Sequence, residues 1–427
     1  MAWRIFAVLC AAYLSSQFFR VSNAVIAPEL MRELALSPAV LGTMTGAFFL
    51  TFAAAQVPAG VLLDRWGPRR TMAATMMAAV AGSLVFAAAD SALVLTLGRA
   101  LMGLGCAVGL MGALLVIGRW FPPERFAPLS SLLFAVGGAG TLLATTPLAL
   151  AADGIGWRGA FVVMAGVTAL LAALVLAVVR DAPPPDPVAG PTARRAAGAA
   201  AGSAAGSDRV ASGLAAVLGN TRLRRIAALQ FVAYGSLMTV AGLWAGPYLE
   251  EVHGLGAVGR GNVLLGINLA VIAGALGFGW AAPRFSSPKR LAVPGAAVVV
   301  LLFGLLAALP APPLWLAAAA LLLLGLASGY FMLLHAHARA VLPAHLLGRG
   351  LTLQNTASIL GVFLWQAATG LIVEAFAGPG GAPEIAYRAV FAFLGAISLV
   401  GLLVYTGCED GTGQDDAAIG RPHDRRG

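Results

Sequence analysis

Charge is what this chain of 427 residues has least of: Asp, Glu, Lys and Arg together make up 11%, against about 25% in a soluble globular domain. With 59% hydrophobic residues and a mean hydropathy of +0.87, a single soluble domain is excluded. Cysteine is as scarce. Cys10, Cys106 and Cys408 offer neither a disulfide framework nor metal-ligand spacing, and read as packing residues. There is no Gly-x-Ser-x-Gly elbow and no phosphate-binding loop, and the short polar segments leave no room for an ATP-hydrolysing domain. No catalytic residue, no cofactor and no resident metal are expected. Carboxylates are missing from the middle of every apolar run; Glu374, at the end of the eleventh, comes nearest. A cation exporter with a central carboxylate is disfavoured on that ground.

What is present is a succession of apolar runs, each about 20 residues and long enough to cross a ~30 Å hydrocarbon core. They lie near 5–27, 39–61, 71–89, 92–117, 129–151 and 160–179, then 226–249, 262–281, 291–309, 314–338, 351–374 and 387–406. The expected class is an all-α membrane protein of twelve transmembrane helices. The stretch "RDAPPPDPVAGPTARRAAGAAAGSAAGSDR" from Arg180 cannot supply a core. It divides the chain into an amino-terminal six-helix bundle (1–180), a linker (181–221), a second bundle (222–407) and a solvated tail (408–427). The amino-terminal apolar run continues past Arg20 without a cleavage site and is kept as the first span.

With the amino terminus inside, 21 of the 27 Lys and Arg residues fall in cytoplasmic segments. External loops hold Arg32, Arg158, Arg260 and Arg388, while Arg20 and Arg99 fall inside spans. This bias places both termini in the cytoplasm of a multi-pass protein of the cell inner membrane. It also accounts for the net charge of +9 as topology signals, so nucleic acid is not an expected partner; the lipid bilayer is, and a monomer is expected.

Short basic strings recur at half length. "GVLLDRWGPRR" from Gly60 is answered by "GWAAPRFSSPKR" from Gly279, 219 positions on; Pro28 is answered by Pro247 at the same offset, and Arg119 by Arg339 at 220. Repeated order of elements points to two pseudo-symmetric six-helix halves.

At these residues the chain resembles the major facilitator superfamily of secondary transporters, over essentially its whole length. "GVLLDRWGPRR" matches that family's loop 2–3 signature through Gly60, Asp64, Arg65, Gly67, Arg69 and Arg70; "GRALMGLGCAVG" resembles its span-4 motif with Arg99 as the basic residue. "DGIGWRGAF" resembles its segment between spans 5 and 6. Span 5 lacks the Gly-Pro-x-x-Gly-Gly run of drug antiporters, and Pro283 stands where the second loop's acid belongs. The resemblance implies alternating access to a mid-membrane site, for a small-molecule substrate and a coupling proton. For the loop motif we expect a gating latch: Asp64 near the start of span 11 around Gly350, where an anion is stabilised by the helix amino terminus by roughly 0.3–1 kcal/mol. A surface loop that merely obeys the charge bias is the alternative for Arg69 and Arg70.

Arg20 lies nine residues before Glu29, and Arg99 nine after Asp90, which at 1.5 Å per residue puts each roughly 13 Å deep. Buried guanidiniums are costly in hydrocarbon and face a pathway or a partner. Arginine also binds carboxylates and oxyanions bidentately. A small anionic organic or inorganic solute is therefore the expected cargo, with Asn268, Asn355 and Gln366 as neutral groups on the other half. Packing or hydrogen bonding between helices is the competing role for all five. His335 and His337 with Met332 leave a copper path conceivable. A drug transporter of this fold, and a transporter-shaped sensor or assembly factor without flux, stay open.

Overall fold

The structure is a computed structural model that describes residues 1–181, 219–285, 287–341, 347–376 and 384–408, with no side-chain description at 57, 123, 127 and 347–353. Most of the expected linker, the expected tail beyond Cys408, and Pro343 lie outside the described residues. Among the described residues all secondary structure is helical, and twelve helices are long and apolar enough to cross a membrane.

Span 1 is Ala2–Val21, extended by Asn23–Glu33 beyond a break at Ser22. Spans 2 and 3 lie in Pro38–Ala87 on either side of Gly67, whose φ of 76° breaks the helix. The chain turns back there: Thr71 Oγ1 donates to the Leu62 carbonyl at 3.0 Å, a contact that nine residues of straight helix, about 13 Å long, would forbid. Span 4 is Ala92–Cys106 and Gly109–Trp120. Span 5 begins at Pro123–Leu143 and resumes at Thr146, and Gly156, at φ 73°, separates it from span 6, which ends at Val178. Only glycine adopts such angles without strain, so both hairpins rest on it.

In the second half, span 7 runs as Thr221–Thr239, a π-helical turn Val240–Trp244 and Ala245–Glu251. Span 8 is Ala257–Ala281, span 9 Pro288–Ala308, and span 10 is Leu314–Ser328 followed by Phe331–Val341. Spans 11 and 12 are Leu347–Ala375 and Glu384–Thr406. Spans 1, 4, 7 and 10 are therefore each interrupted. The interruptions at Ser22 and Val240–Trp244 stand at corresponding places in the two halves, as do those at Ala107 and Gly329. Irregular backbone at membrane depth is tolerated where protein buries it, and these four breaks are sheathed by the other spans.

Within each half, close approach is made by small residues, as membrane helices require. Gly82 faces Gly98 between spans 3 and 4, and Gly274 faces Leu326 and Gly329 between spans 8 and 10. Several boundaries differ from the sequence reading: span 5 begins at Pro123 and span 7 at Thr221, each earlier than expected. Span 1 is broken rather than continuous, because Ser22 ends one helical run and the next restarts at Asn23. Span 8 starts at Ala257, winding Arg260 into its first turn, where the residue is 1% exposed; it is not a loop residue.

Candidate functional site

Tyr13, Gln17 and Arg20 recur on span 1 at helical spacing and share one face. Arg20 Nη1 donates to the Tyr234 hydroxyl on span 7 at 3.1 Å, and its guanidinium carbon sits 4.9 Å from the Phe52 ring centre. Tyr234 is backed by Phe331, with ring centres 5.5 Å apart. Arg20 and Tyr234 are half-buried, while Arg20 Nε and Gln17 Oε1 are buried without a partner. No carboxylate pairs with Arg20 among the described residues. Since the Tyr234 oxygen accepts from the guanidinium, its own proton is left to donate. A cationic fork and a phenol thus meet inside the helical bundle, one from each half of the chain.

Arg99 has a different setting. It is 0% exposed, donates through Nη1 to the Phe19 carbonyl at 2.8 Å and stacks 4.8 Å from the Phe48 ring centre. Phe19 lies three residues before the break of span 1 at Ser22, and the Ser22 hydroxyl donates to the same carbonyl at 3.4 Å. Arg99 therefore braces the interrupted backbone.

The neutral residues divide likewise. Gln366 is fully buried and donates to the Met238 carbonyl at 3.2 Å. Trp365 Nε1 donates to the Phe231 carbonyl at 3.3 Å, and Trp244 Nε1 to Thr369 Oγ1 at 2.8 Å; together these tie spans 7 and 11. Asn268 is buried and donates to Leu264 one turn back in its own helix at 2.9 Å. Asn355 is exposed and has no hydrogen-bond partner among the described residues. His337 Nδ1 lies 2.8 Å from the Tyr405 hydroxyl and His335 Nδ1 3.4 Å from the Phe331 carbonyl. No group of three metal-ligating side chains occurs among the described residues.

Two faces of the bundle contrast. At the face opposite the termini, the halves are stitched together. Arg260 on span 8 pairs with Glu29 at 2.5 Å and with Glu250, and Arg32 pairs with Glu250 at 2.7 Å. Glu374 Oε2 accepts from Ser37 Oγ and the Ala39 amide, both at 2.9 Å. Gly42 and Gly46 of span 2 lie against Gln366, Gly370 and Phe363 of span 11, and Gly246 lies against Ala24. Beside this seal, Glu33 accepts from Trp157 Nε1 at 2.6 Å and pairs with Arg158. Those partners, the indole first, hold its carboxyl below the usual range. His253, in the loop after span 7, has its pKa lowered by burial.

At the terminal face no ion pair joins the halves among the described residues. Asp64, Arg65, Arg69 and Arg70 are exposed, and a side chain added at Gly60 would meet nothing within 4 Å. Asp64 has no partner among the described residues, and the side chains around Gly350 lie outside them. The loop is tied within its own half. The Arg69 amide donates to Asp181 Oδ1 at 2.7 Å and Arg69 Nε to the Leu176 carbonyl at 2.8 Å, while Gly67 lies against the Asp181 carboxylate.

Sequence reasoning missed Arg260, the most heavily paired arginine among the described residues. Its partners lie far away in the chain, and the one available signal was its place nine residues after Glu251. Two cavities stand apart from Arg20. One of about 10 Å³, lined by Ser15, Ser16, Cys106 and Thr168 among others, holds a water-sized space inside the first half. The other is an apolar groove of about 360 Å³ along spans 8, 9 and 10.

The profile described as Major Facilitator Superfamily matches residues 9–366. The chain is 28% identical over 255 residues, 58% of its length, to the Cupriavidus necator protein named "Probable sulfoacetate transporter SauU". It is 34% identical over 98 residues, 23% of its length, to the nitrate/nitrite transporter NrtP of a Picosynechococcus strain. It spans 57% of the first relative's length and 18% of the second's. Among solved structures, a bacterial homolog of the human lysosomal transporter Spinster, in an inward-facing and occupied conformation, superposes with a TM-score of 0.76. That match is 16% identical in sequence and covers 94% of this chain and 95% of the other.

Proposed function

The chain belongs to the Major Facilitator Superfamily, and from that premise we propose that it moves a small anionic solute across the cell inner membrane by alternating access. It is a secondary transporter, not an enzyme. The observation that carries the anionic reading is Arg20: a half-buried guanidinium at mid-membrane whose described hydrogen-bond partner is the neutral Tyr234 hydroxyl. A charge left without a counter-ion in a low-dielectric interior is costly, and a bound carboxylate or oxyanion supplies the missing one. The names of relatives, among them transporters of sulfoacetate and of nitrate, point to the same class of cargo.

In this reading the Lys and Arg bias makes the terminal face cytoplasmic. The described form, sealed by Arg260, Glu29 and Glu250 at the opposite face, is then inward-facing. Residues 1–180 and 222–407 rock about the site, joined by the linker 181–221. Gly60, Asp64, Arg65, Gly67, Arg69 and Arg70 gate the cytoplasmic side, with Asp64 released in this form. Asn355 and the Tyr234 hydroxyl are second-half ligand candidates. Arg99, Asn268 and Gln366 position the helices that carry the site. An ion gradient drives the cycle, with a proton as the coupling ion.

The test is flux in proteoliposomes loaded with sulfoacetate, tartrate or nitrate, beside thermal unfolding with each. A true ligand at a hundredfold excess over its dissociation constant stabilises the fold by about 2.7 kcal/mol. Failure of every anion to stabilise the protein, with stabilisation by a neutral or cationic solute, overturns the reading.

A further inference from the structure

The groove along spans 8, 9 and 10 is lined by Ala273, Gly277, Ala281, Leu291, Leu302 and Leu323 among other apolar residues. It runs from mid-membrane toward the terminal face. Span 8 closes on span 10 through Gly274, Leu326 and Gly329, and on span 9 through Phe278 and Gly295. Gly277, on the groove wall, has no atom within 4 Å of where a Cβ would stand. The neighbouring Leu276 and Trp280 are each 70% exposed, so this flank is turned toward the bilayer.

At the terminal-face end of the groove, the wall residues Ala281 and Leu291 are close in sequence to exposed arginines. Ala281 is three residues from Arg284, and Leu291 adjoins Arg290; both arginines are exposed. Arg284 is folded over the Trp280 ring with 3.5 Å to its centre, which holds the guanidinium at the depth where an indole marks the membrane interface. Arg290 has no ion-pair partner among the described residues. The cause is compositional: between Glu251 and Glu374 the chain has no Asp or Glu, yet it carries Arg260, Arg284, Lys289, Arg290, Arg339 and Arg349. Such a rim lacks local counter-charge, and basic pockets between membrane helices take anionic headgroups.

We propose that this groove is a binding site for one anionic phospholipid, with an acyl chain along Gly277 and Leu302 and the phosphodiester held by Arg284 and Arg290. An apolar slot with exposed arginines close by in sequence offers both an acyl-chain site and a counter-charge, a combination that neither a free anion nor a zwitterionic lipid uses in full.

The full chain, purified in detergent, is offered phosphatidylglycerol or phosphatidylcholine and read by native mass spectrometry and thermal unfolding. Two arginines, each contributing about fivefold, give a roughly twenty-five-fold preference for phosphatidylglycerol. In the double variant Arg284→Gln, Arg290→Gln the two lipids bind alike. Gly277→Leu, which fills the slot, lowers retention of phosphatidylglycerol with the arginines intact, whereas Arg65→Gln with Arg125→Gln on the other half leaves the preference unchanged. Glycerol phosphate, which has no acyl chain, gives no shift. Equal binding of both lipids by the unaltered chain overturns the proposal, as does a preference that survives the double variant or a full shift with glycerol phosphate. It also falls if binding requires Glu409→Gln with Asp410→Asn, because the tail is then the occupant of the rim.

Discussion

Arg260 and Glu29 meet at 2.5 Å although 231 positions separate them in the chain, and Glu250 grips the same guanidinium from span 7. The arginine side chain is 2% exposed, the two carboxylates 26% and 20%. Burial is thus unequal within the cluster, and so are the consequences of breaking it. A buried charge stripped of its partner costs about 3–5 kcal/mol, whereas carboxylates near water can hydrate. The double variant Glu29→Gln, Glu250→Gln should therefore open this face more than Arg260→Gln does. Spin labels at Ala35→Cys and Gly256→Cys report the gap, since the three native cysteines are buried. A label distance that stays unchanged in the double variant removes the seal from the mechanism.

Arg20→Gln should weaken binding of the anionic solute at least tenfold, about 1.4 kcal/mol, with folded yield preserved. Its bond to Tyr234 joins a charged donor to a neutral acceptor and is worth about 1.5–3 kcal/mol, but removing it also removes a buried charge that has no counter-ion among the described residues. Arg20→Lys keeps charge without the planar fork and should fall between the two. If transport declines only in step with protein abundance, Arg20 is structural.

Much of this fold was legible. Twelve apolar runs and an offset of 219 positions pointed to the spans and the repeat, and depth alone singled out Arg20 as a candidate. Burial partners were not legible. Asn268, Gln366 and Asn355 look alike as amides in apolar helices, yet one bonds its own helix, one bonds a neighbour and one is exposed. Which of these occurs depends on rotamer and helix rotation, and periodicity reports neither. Arg260 was misplaced because hydropathy rises only after it, while the helix starts at Ala257. A charge within a span's first turn lowers local hydropathy without ending the helix.

Arg99 should support the interrupted helix more by the space it fills than by its charge. Arg99→Ala removes the donor to Phe19 and leaves a cavity under the Phe48 ring, with an expected loss of about 2–5 kcal/mol by analogy with large-to-small core changes. Arg99→Met refills most of that volume without a buried charge and should recover most of the stability. Thermal unfolding of the two variants decides it. Equal loss in both would mean that the guanidinium, rather than the filled volume, holds the fold.

Acidification should act on the loop after span 7. Burial lowers the His253 pKa below its ordinary 6.5, its Nε2 is without a partner, and it packs edge-on to Tyr248 at 5.1 Å. The fold thus prefers the neutral ring. That stability is present above pH 6.5 and is lost as pH falls through the lowered value. His253→Gln should flatten the thermal midpoint against pH in the interval below 6.5. A slope that persists unchanged in this variant assigns the effect elsewhere.

Gly42 and Gly46 separate packing from charge at the same seal. Alanine in place of glycine within a helix ordinarily gains about 0.5–1 kcal/mol, so a loss of the closed form cannot come from helix propensity. At Gly42 the new methyl meets backbone, the Gln366 carbonyl and the Gly370 Cα at 3.1 Å; backbone cannot turn aside. At Gly46 it meets the edge of the Phe363 ring at 2.9 Å, which a rotamer change relieves in part. Gly42→Ala should therefore lengthen the Ala35–Gly256 label distance more than Gly46→Ala, at undiminished expression. The reverse order would mean that the span 2 to span 11 contact yields elsewhere and that the ion cluster alone holds the face shut.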